Sequence, residues 1–214
     1  ELVREMVDQE APLVLVDYDI AEIMTERLNK NHLAVINSND YEGTVQAIEY
    51  LIELGHRDIG ILKGSMNTYS GRERYLAYEH TLKKHGLPLN EAYILEGEFL
   101  KDSAYRETHR LIEQGNWPTA IFCANDDMAI AAMEAFAEKG ISVPEHVSII
   151  GFDDVEIASR VTPKLTTIRL PIDEMAKAAV LKVIELCEAE QPTFSTVSFP
   201  TRLVIRDSCQ PPAK

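Results

Sequence analysis

The sequence predicts an α/β fold in which parallel sheets are flanked by helices. Two observations lead there. Short apolar runs rich in Val, Ile and Leu recur along the chain, and between them lie segments whose apolar residues repeat at helical period. Strands that alternate with helices need crossover connections, which makes the sheet parallel. With 214 residues, the chain can form one large domain or two smaller lobes with cores of their own. Apolar residues at 45% and charged residues at 26% are the balance of an ordinary globular protein.

Pro12 to Val16 and Leu33 to Ile36 read as the first two strands. Asn39 or Asp40 can cap a helix on which Val45, Ile48, Leu51 and Ile52 form an apolar stripe, and Gly55 ends it. The strand Ile59 to Leu62 leads through a polar loop to a helix from about Ser70 to His85, closed by Gly86 and Pro88. The pattern then repeats. Strand Ala92 to Leu95 precedes a helix near Asp102 to Gln114, and strand Thr119 to Cys123 precedes one near Asp126 to Lys139, ended by Gly140. Val147 to Ile150 and Leu165 to Ile168 are the next strands. Pro171 suits the first position of a helix reaching Glu188, with Met175, Ala179, Val183 and Leu186 on its buried face. Ser195 to Phe199 and Arg202 to Ile205 end the chain as strands broken by Pro200.

Charge and cysteine usage exclude several classes of function. The net charge is −14, and the densest basic run, Lys83-Lys84-His85, has the look of a solvated helix end. A surface that neutralises phosphates needs clustered Lys and Arg, so this chain alone is a poor candidate for binding DNA or RNA. Apolar runs such as Leu33 to Ile36 are far too short to cross a bilayer. The opening residues show no secretion signal, and Glu1 in place of an initiator methionine points to a cut inside a longer polypeptide. The three cysteines, Cys123, Cys187 and Cys209, are odd in number and lack C-x-x-C spacing. That argues against a disulfide framework and a zinc site and fits a reducing compartment. Cys123 and Cys187 read as small apolar fillers, Cys209 as an exposed tail residue.

In open parallel sheets, ligands sit beyond the carboxyl ends of the strands. Asp17 follows the first expected strand, Asn37 to Asp40 the second and Asn67 to Arg74 the third; Phe99, Asn125 and Asp153 follow the fourth, fifth and sixth. A few polar groups with an aromatic wall suit a small polar ligand. Arg72 and Arg74 stand at a helix start, where the macrodipole disfavours cations by ~0.3–1 kcal/mol. A local rule broken in this way marks a candidate site. For Arg74 a ligand contact and a salt bridge both remain open; for Arg72 the salt bridge is simpler. Asp153 can accept two ligand hydrogen bonds, while Asp154 reads as a helix cap. Asn125 is either a ligand contact or a cap, a task Asp126 could also take. Asp17 is a ligand contact or a loop cap, and Phe99 a pocket wall or part of the core.

Catalytic signatures are lacking. No G-x-S-x-G, H-E-x-x-H, G-x-G-x-x-G or G-x-x-x-x-G-K-[ST] occurs. The histidines are scattered, with His56, His80 and His85 expected on helix ends or polar faces. The residues point to binding rather than turnover, with no cofactor and no metal.

Six segments, in order along the chain, resemble the lactose/galactose repressor (LacI/GalR) family: Asn37 to His56, Ser70 to Arg74, Pro118 to Met128, Val143 to Asp154, Thr162 to Pro171 and Pro200 to Cys209. The resemblance implies a two-lobed, periplasmic-binding-protein-like fold with three crossovers, here near Ser38, Leu170 and Phe199, and an effector between the lobes. It implies a first lobe of residues 1–37 plus 171–199, incomplete here, and a second of 38–170 plus 200–214. It further implies that Arg74, Asn125 and Asp153 hold the effector with help from Asp17 and Phe99, and that Ile130 and Val161 lie in a homodimer interface. The family's N-terminal helix-turn-helix and two βα units are absent from this chain, so operator DNA would be reached only through that missing part. The resulting expectation is a cytoplasmic effector-binding and dimerisation domain of a transcriptional regulator, taking a sugar-like or nucleobase-like molecule and having no membrane partner. The alternative is an extracytoplasmic sugar-binding protein of a transporter, which shares the architecture.

Overall fold

In the computed structural model, the described residues are 2–19, 21 and 31–213. A short helix α1 (Leu2–Asp8) is followed by β1 (Leu13–Val16), β2 (Leu33–Ser38), α2 (Asp40–Glu53), β3 (Ile59–Lys63) and α3 (Tyr69–Lys84). A 3-10 turn (Glu91–Tyr93) leads into β4 (Ile94–Glu96), then α4 (Lys101–Glu113), β5 (Ala120–Cys123), α5 (Asp126–Glu138) and β6 (Ser148–Asp153). A second 3-10 turn (Glu156–Ser159) precedes β7 (Thr166–Arg169), α6 (Ile172–Glu188), β8 (Ser195–Phe199) and β9 (Arg202–Val204). Among the described residues, no helix is long and apolar enough to cross a membrane.

The chain divides into two compact units and passes between them three times: residues 1–39 with 171–200 form unit 1, and residues 40–170 with 201–214 form unit 2. Unit 1 holds a three-stranded parallel sheet in the order β1-β2-β8. Its small core gathers Val7 of α1 and Leu33 of β2 with Leu13, Leu15, Tyr18 and Phe194. Helix α6 packs on β1 and β2 and buries Met175 and Leu186, leaving Val180, Leu181 and Ile184 exposed.

Unit 2 holds six strands in the order β4-β3-β5-β6-β7-β9, all parallel except β9, which runs antiparallel to β7. The central strand β5 (Ala-Ile-Phe-Cys) is buried at every position. That absence of alternation is what a parallel strand covered on both faces requires. Leu62, Ile121, Ile149 and Phe136 belong to one core cluster, and Ile61, Phe122, Ile150, Phe152 and Tyr78 to the other. Helices α2 and α3 pack together, as do α4 and α5. The strand order reverses between β3 and β5, since β4 lies on the far side of β3. Such a switch point opens a crevice at the carboxyl ends of the two strands.

Several expectations need correction. Cys187 is exposed, whereas Cys209 donates its thiol to the Ile149 carbonyl at 3.2 Å and packs against the core, its burial pushing its pKa up to about 12. His56 is not solvated. It is 1% exposed, with Nδ1 paired to the Thr119 hydroxyl and Nε2 to the Gln210 carbonyl, both at 2.9 Å, so it fastens the C-terminal tail. Pro171 occupies the cap position just before α6, one residue earlier than expected.

Candidate functional site

The site on unit 2 is assembled from the carboxyl ends of β3, β5 and β6. After β3, Thr68 caps α3 by accepting from the Gly71 N–H at 3.1 Å. That fixes the helix start and carries Arg74 inward to 5% exposure. Its guanidinium donates to Asp40 Oδ1 at 3.1 Å, to Asp153 Oδ1 at 3.4 Å and to the Ala124 carbonyl. The group also lies 3.7 Å from the Phe152 ring centre and 5.6 Å from that of Phe99, so two aromatic faces border the cation. Its buried Nε makes no hydrogen bond.

Asp153 ends β6 and keeps 24% of its side chain exposed. Burial pushes its carboxyl up to about 6, against the pull of Arg74 and with the push of Asp40. It therefore presents an acceptor that is charged at neutral pH and only half committed to Arg74. Asn125 caps α5, its Oδ1 accepting from the Met128 N–H at 2.9 Å, while Nδ2 reaches the Phe99 carbonyl at 3.4 Å. Phe99 itself, half-buried, has φ 60° and presses on Gly64, where a Cβ would fall 2.1 Å from the ring. Any larger residue at Gly64 would displace the aromatic wall.

The structure thus brings Arg74, Asn125, Asp153 and Phe99 together on unit 2. Asp17 belongs to unit 1, where it is exposed at φ 54° after β1. The neighbouring Tyr18 is held through both its backbone groups by the Asn37 side chain, at 3.0 Å each. Ile130 is 9% exposed and mostly inside the unit 2 core, and Val161 packs half-buried against the same cluster.

Two carboxylates differ from their sequence reading. Asp154 does not cap a helix; its carboxylate takes the guanidinium groups of Arg169 and Arg206. Asp126 does not cap α5 either. It turns into the core, accepting from the Thr167 hydroxyl at 2.6 Å and the Val155 N–H at 2.9 Å, and burial pushes it up to about 7. Gly151 makes room for it, since a Cβ there would lie 2.2 Å from Asp126 Oδ1. Asp40, placed by the sequence among the polar residues after the second strand but read as a possible helix cap, is instead the buried partner of Arg74.

Chemically, the cluster offers a planar guanidinium fork, an accessible carboxylate, an amide and an aromatic face. These groups recognise hydroxyls, amides or ring edges. Among the described residues, no group of three or more His, Cys, Asp or Glu could hold a metal ion.

The periplasmic binding protein-like domain model matches residues 48–209. A relative from Bacillus subtilis (strain 168), named a probable HTH-type transcriptional repressor ExuR, is 34% identical over 94% of this chain and 58% of its own length. The HTH-type transcriptional repressor PurR of Haemophilus influenzae (strain PittEE) is 37% identical over 81% of this chain and 53% of its own. The chain thus spans little more than half the length of these relatives. A sugar-binding LacI-family regulator from Escherichia coli, solved with phosphate, superimposes at TM-score 0.82 and 31% identity, over 99% of this chain and 73% of that one. A CelR–cellobiose complex does so at 0.79 and 25% identity, over 97% and 68%.

Proposed function

This chain belongs to the periplasmic binding protein-like family as it occurs in LacI-type transcriptional regulators, and from that membership we propose that it is the effector-binding part of such a regulator. It binds a small polar molecule, sugar-like or nucleobase-like, and does not turn it over. Binding alters the grip on operator DNA of a domain carried elsewhere in the longer polypeptide, a coupling of ~1–3 kcal/mol. The regulator works in the cytoplasm as a homodimer through the faces carrying Ile130 and Val161. The relatives named above are transcription regulators, which favours this reading over a transporter's solute-binding protein.

The observation that carries the proposal is the buried Arg74 fork beside a partly exposed Asp153, at the switch point of a parallel sheet. Arg74, Asn125 and Asp153 hold the ligand, Phe99 walls it, and Asp17 on unit 1 is a separate candidate contact. Neighbours solved with phosphate and with cellobiose support a polar ligand. The test is calorimetric titration of the intact protein with monosaccharides, cellobiose, purine bases and inorganic phosphate. One of these classes binds, and Arg74→Ala weakens it roughly 30-fold or more among folded molecules, because removing one partner of a buried charged contact costs ~2–5 kcal/mol. Binding within about threefold of wild type in that variant would end the proposal.

A further inference from the structure

Asp153 and Asp154 are consecutive residues with positive φ, at 110° and 59°. Non-glycine residues held in sparsely populated regions of this kind are strained and persist only where the surroundings over-determine them. What over-determines this turn is visible. The Asp154 carboxylate is 3% exposed and takes two arginines, Arg169 from β7 through Nε and Arg206 from the C-terminal tail at 2.5 Å. Arg206 is itself fastened, its second guanidinium nitrogen donating to the Leu165 carbonyl at 2.7 Å and its backbone N–H to the Thr166 hydroxyl at 2.9 Å. The next residue, Asp207, donates its N–H to the Lys164 carbonyl at 3.0 Å. On either side of Asp154 the backbone is tied as well: the Asp153 carbonyl accepts from Leu170 at 3.3 Å, and the Val155 N–H donates to Asp126.

The Asp153 side chain is the member of this turn directed at Arg74. We propose that Asp154, clamped by Arg169 and Arg206, is the positioning residue of the ligand site, holding the left-handed turn that sets the Asp153 carboxylate against Arg74. The C-terminal tail thereby belongs to the site through Arg206, although it touches no ligand. This assignment rests on reading Arg74 and Asp153 as the binding groups. A clamp made only for stability needs no such direction, since a buried ion pair is replaceable by apolar packing at little cost.

The test reads the Asp153 carboxyl directly, by carbon-13 NMR titration of the full chain, and needs no ligand. Asp154→Asn and Arg206→Met change nearby charge in opposite senses. Through charge alone, the first would lower the Asp153 midpoint and the second would raise it. Loss of position instead releases Asp153 to solvent in both, so both midpoints move down toward the ordinary carboxylate range, by about one pH unit or more. Arg169→Gln, a milder change on the half-exposed arm of the clamp, moves it the same way by less. Opposite shifts in the first two variants, or unchanged midpoints with only a lower melting temperature, overturn the proposal. A failed effector titration with these shifts present would instead count against the ligand-site reading alone.

Discussion

Arg74 donates to Asp40 at 3.1 Å with both side chains nearly sealed from solvent, at 6% and 1% exposure. The pair would couple stability to recognition, because the residue proposed to hold the ligand also neutralises a buried acid. Arg74→Ala leaves Asp40 buried without its guanidinium, which costs about 3–5 kcal/mol of folding stability. The Asp40→Ala, Arg74→Ala double variant recovers part of that loss. A double-mutant cycle by urea denaturation measures it, with a coupling of roughly 0.5–3 kcal/mol expected for residues in direct contact. Additive losses would show that the two side chains do not depend on each other.

Asp126 makes stability depend on pH in a defined direction. Its folded pKa of about 7 stands above the ordinary 3.8, because burial opposes the charged form. The folded state therefore holds the proton more tightly than the unfolded chain does. The stabilisation is complete below about pH 4 and is lost as pH rises through about 7. Asp153, raised to about 6, contributes in the same sense. Asp126→Asn removes the titrating group while leaving an amide oxygen that can still accept from the Thr167 hydroxyl or the Val155 N–H. The expected outcome is a flatter profile of melting temperature between pH 5 and pH 8 than wild type shows. Identical slopes would place the proton elsewhere.

Much of the fold was legible because parallel strands covered on both faces must be continuous apolar runs. Thr119 to Cys123 differs from β5 by a single residue. Departures have local polar causes. The strand expected from Ala92 begins at Ile94, because the Asn90 side chain accepts from the Ala92 N–H at 3.0 Å and winds Glu91–Tyr93 into a 3-10 turn. Helix α1 carries seven residues, too short a window for periodicity to stand out. At the site, Arg74 was conspicuous as a basic residue expected near a helix start after a strand, although α3 begins at Tyr69 and carries it beyond the first turn, where the dipole no longer opposes it. Asp40 and Asp154 were not, because their roles depend on distant partners. Asp154 meets Arg169 and Arg206 across 15 and 52 positions of sequence, which no local pattern records.

Residues 1–214 by themselves are expected to bind operator DNA no better than any acidic protein does. The net charge of −14 opposes the phosphate backbone, and the basic residues nearest the site are already engaged: Arg74 with Asp40 and Asp153, Arg206 with Asp154. Fluorescence anisotropy with duplex DNA at low and moderate salt checks this. Micromolar binding that weakens with salt would reveal a phosphate-contacting surface on this chain and contradict the charge argument.

The homodimer proposal needs a probe suited to where the side chains lie. Ile130→Asp is unsuitable, since Ile130 is 9% exposed and shares the core cluster with Met133, Phe136 and Ile149. A carboxylate there meets apolar neighbours, so the chain unfolds whether or not it dimerises. Ile157, 45% exposed within the 3-10 turn Glu156–Ser159, tolerates charge without opening the core, whereas Val161, half-buried against that core, takes only a change that keeps its shape. Val161→Thr, which keeps the shape, combined with Ile157→Asp should leave the melting temperature within a few degrees of wild type, as a surface substitution such as the second costs about 0.5 kcal/mol or less. Sedimentation velocity should show the wild-type dimer becoming a monomer, since a desolvated, unpaired charge inside an interface opposes association. A folded dimer in the double variant would move the interface away from this face and leave the effector-binding proposal untouched.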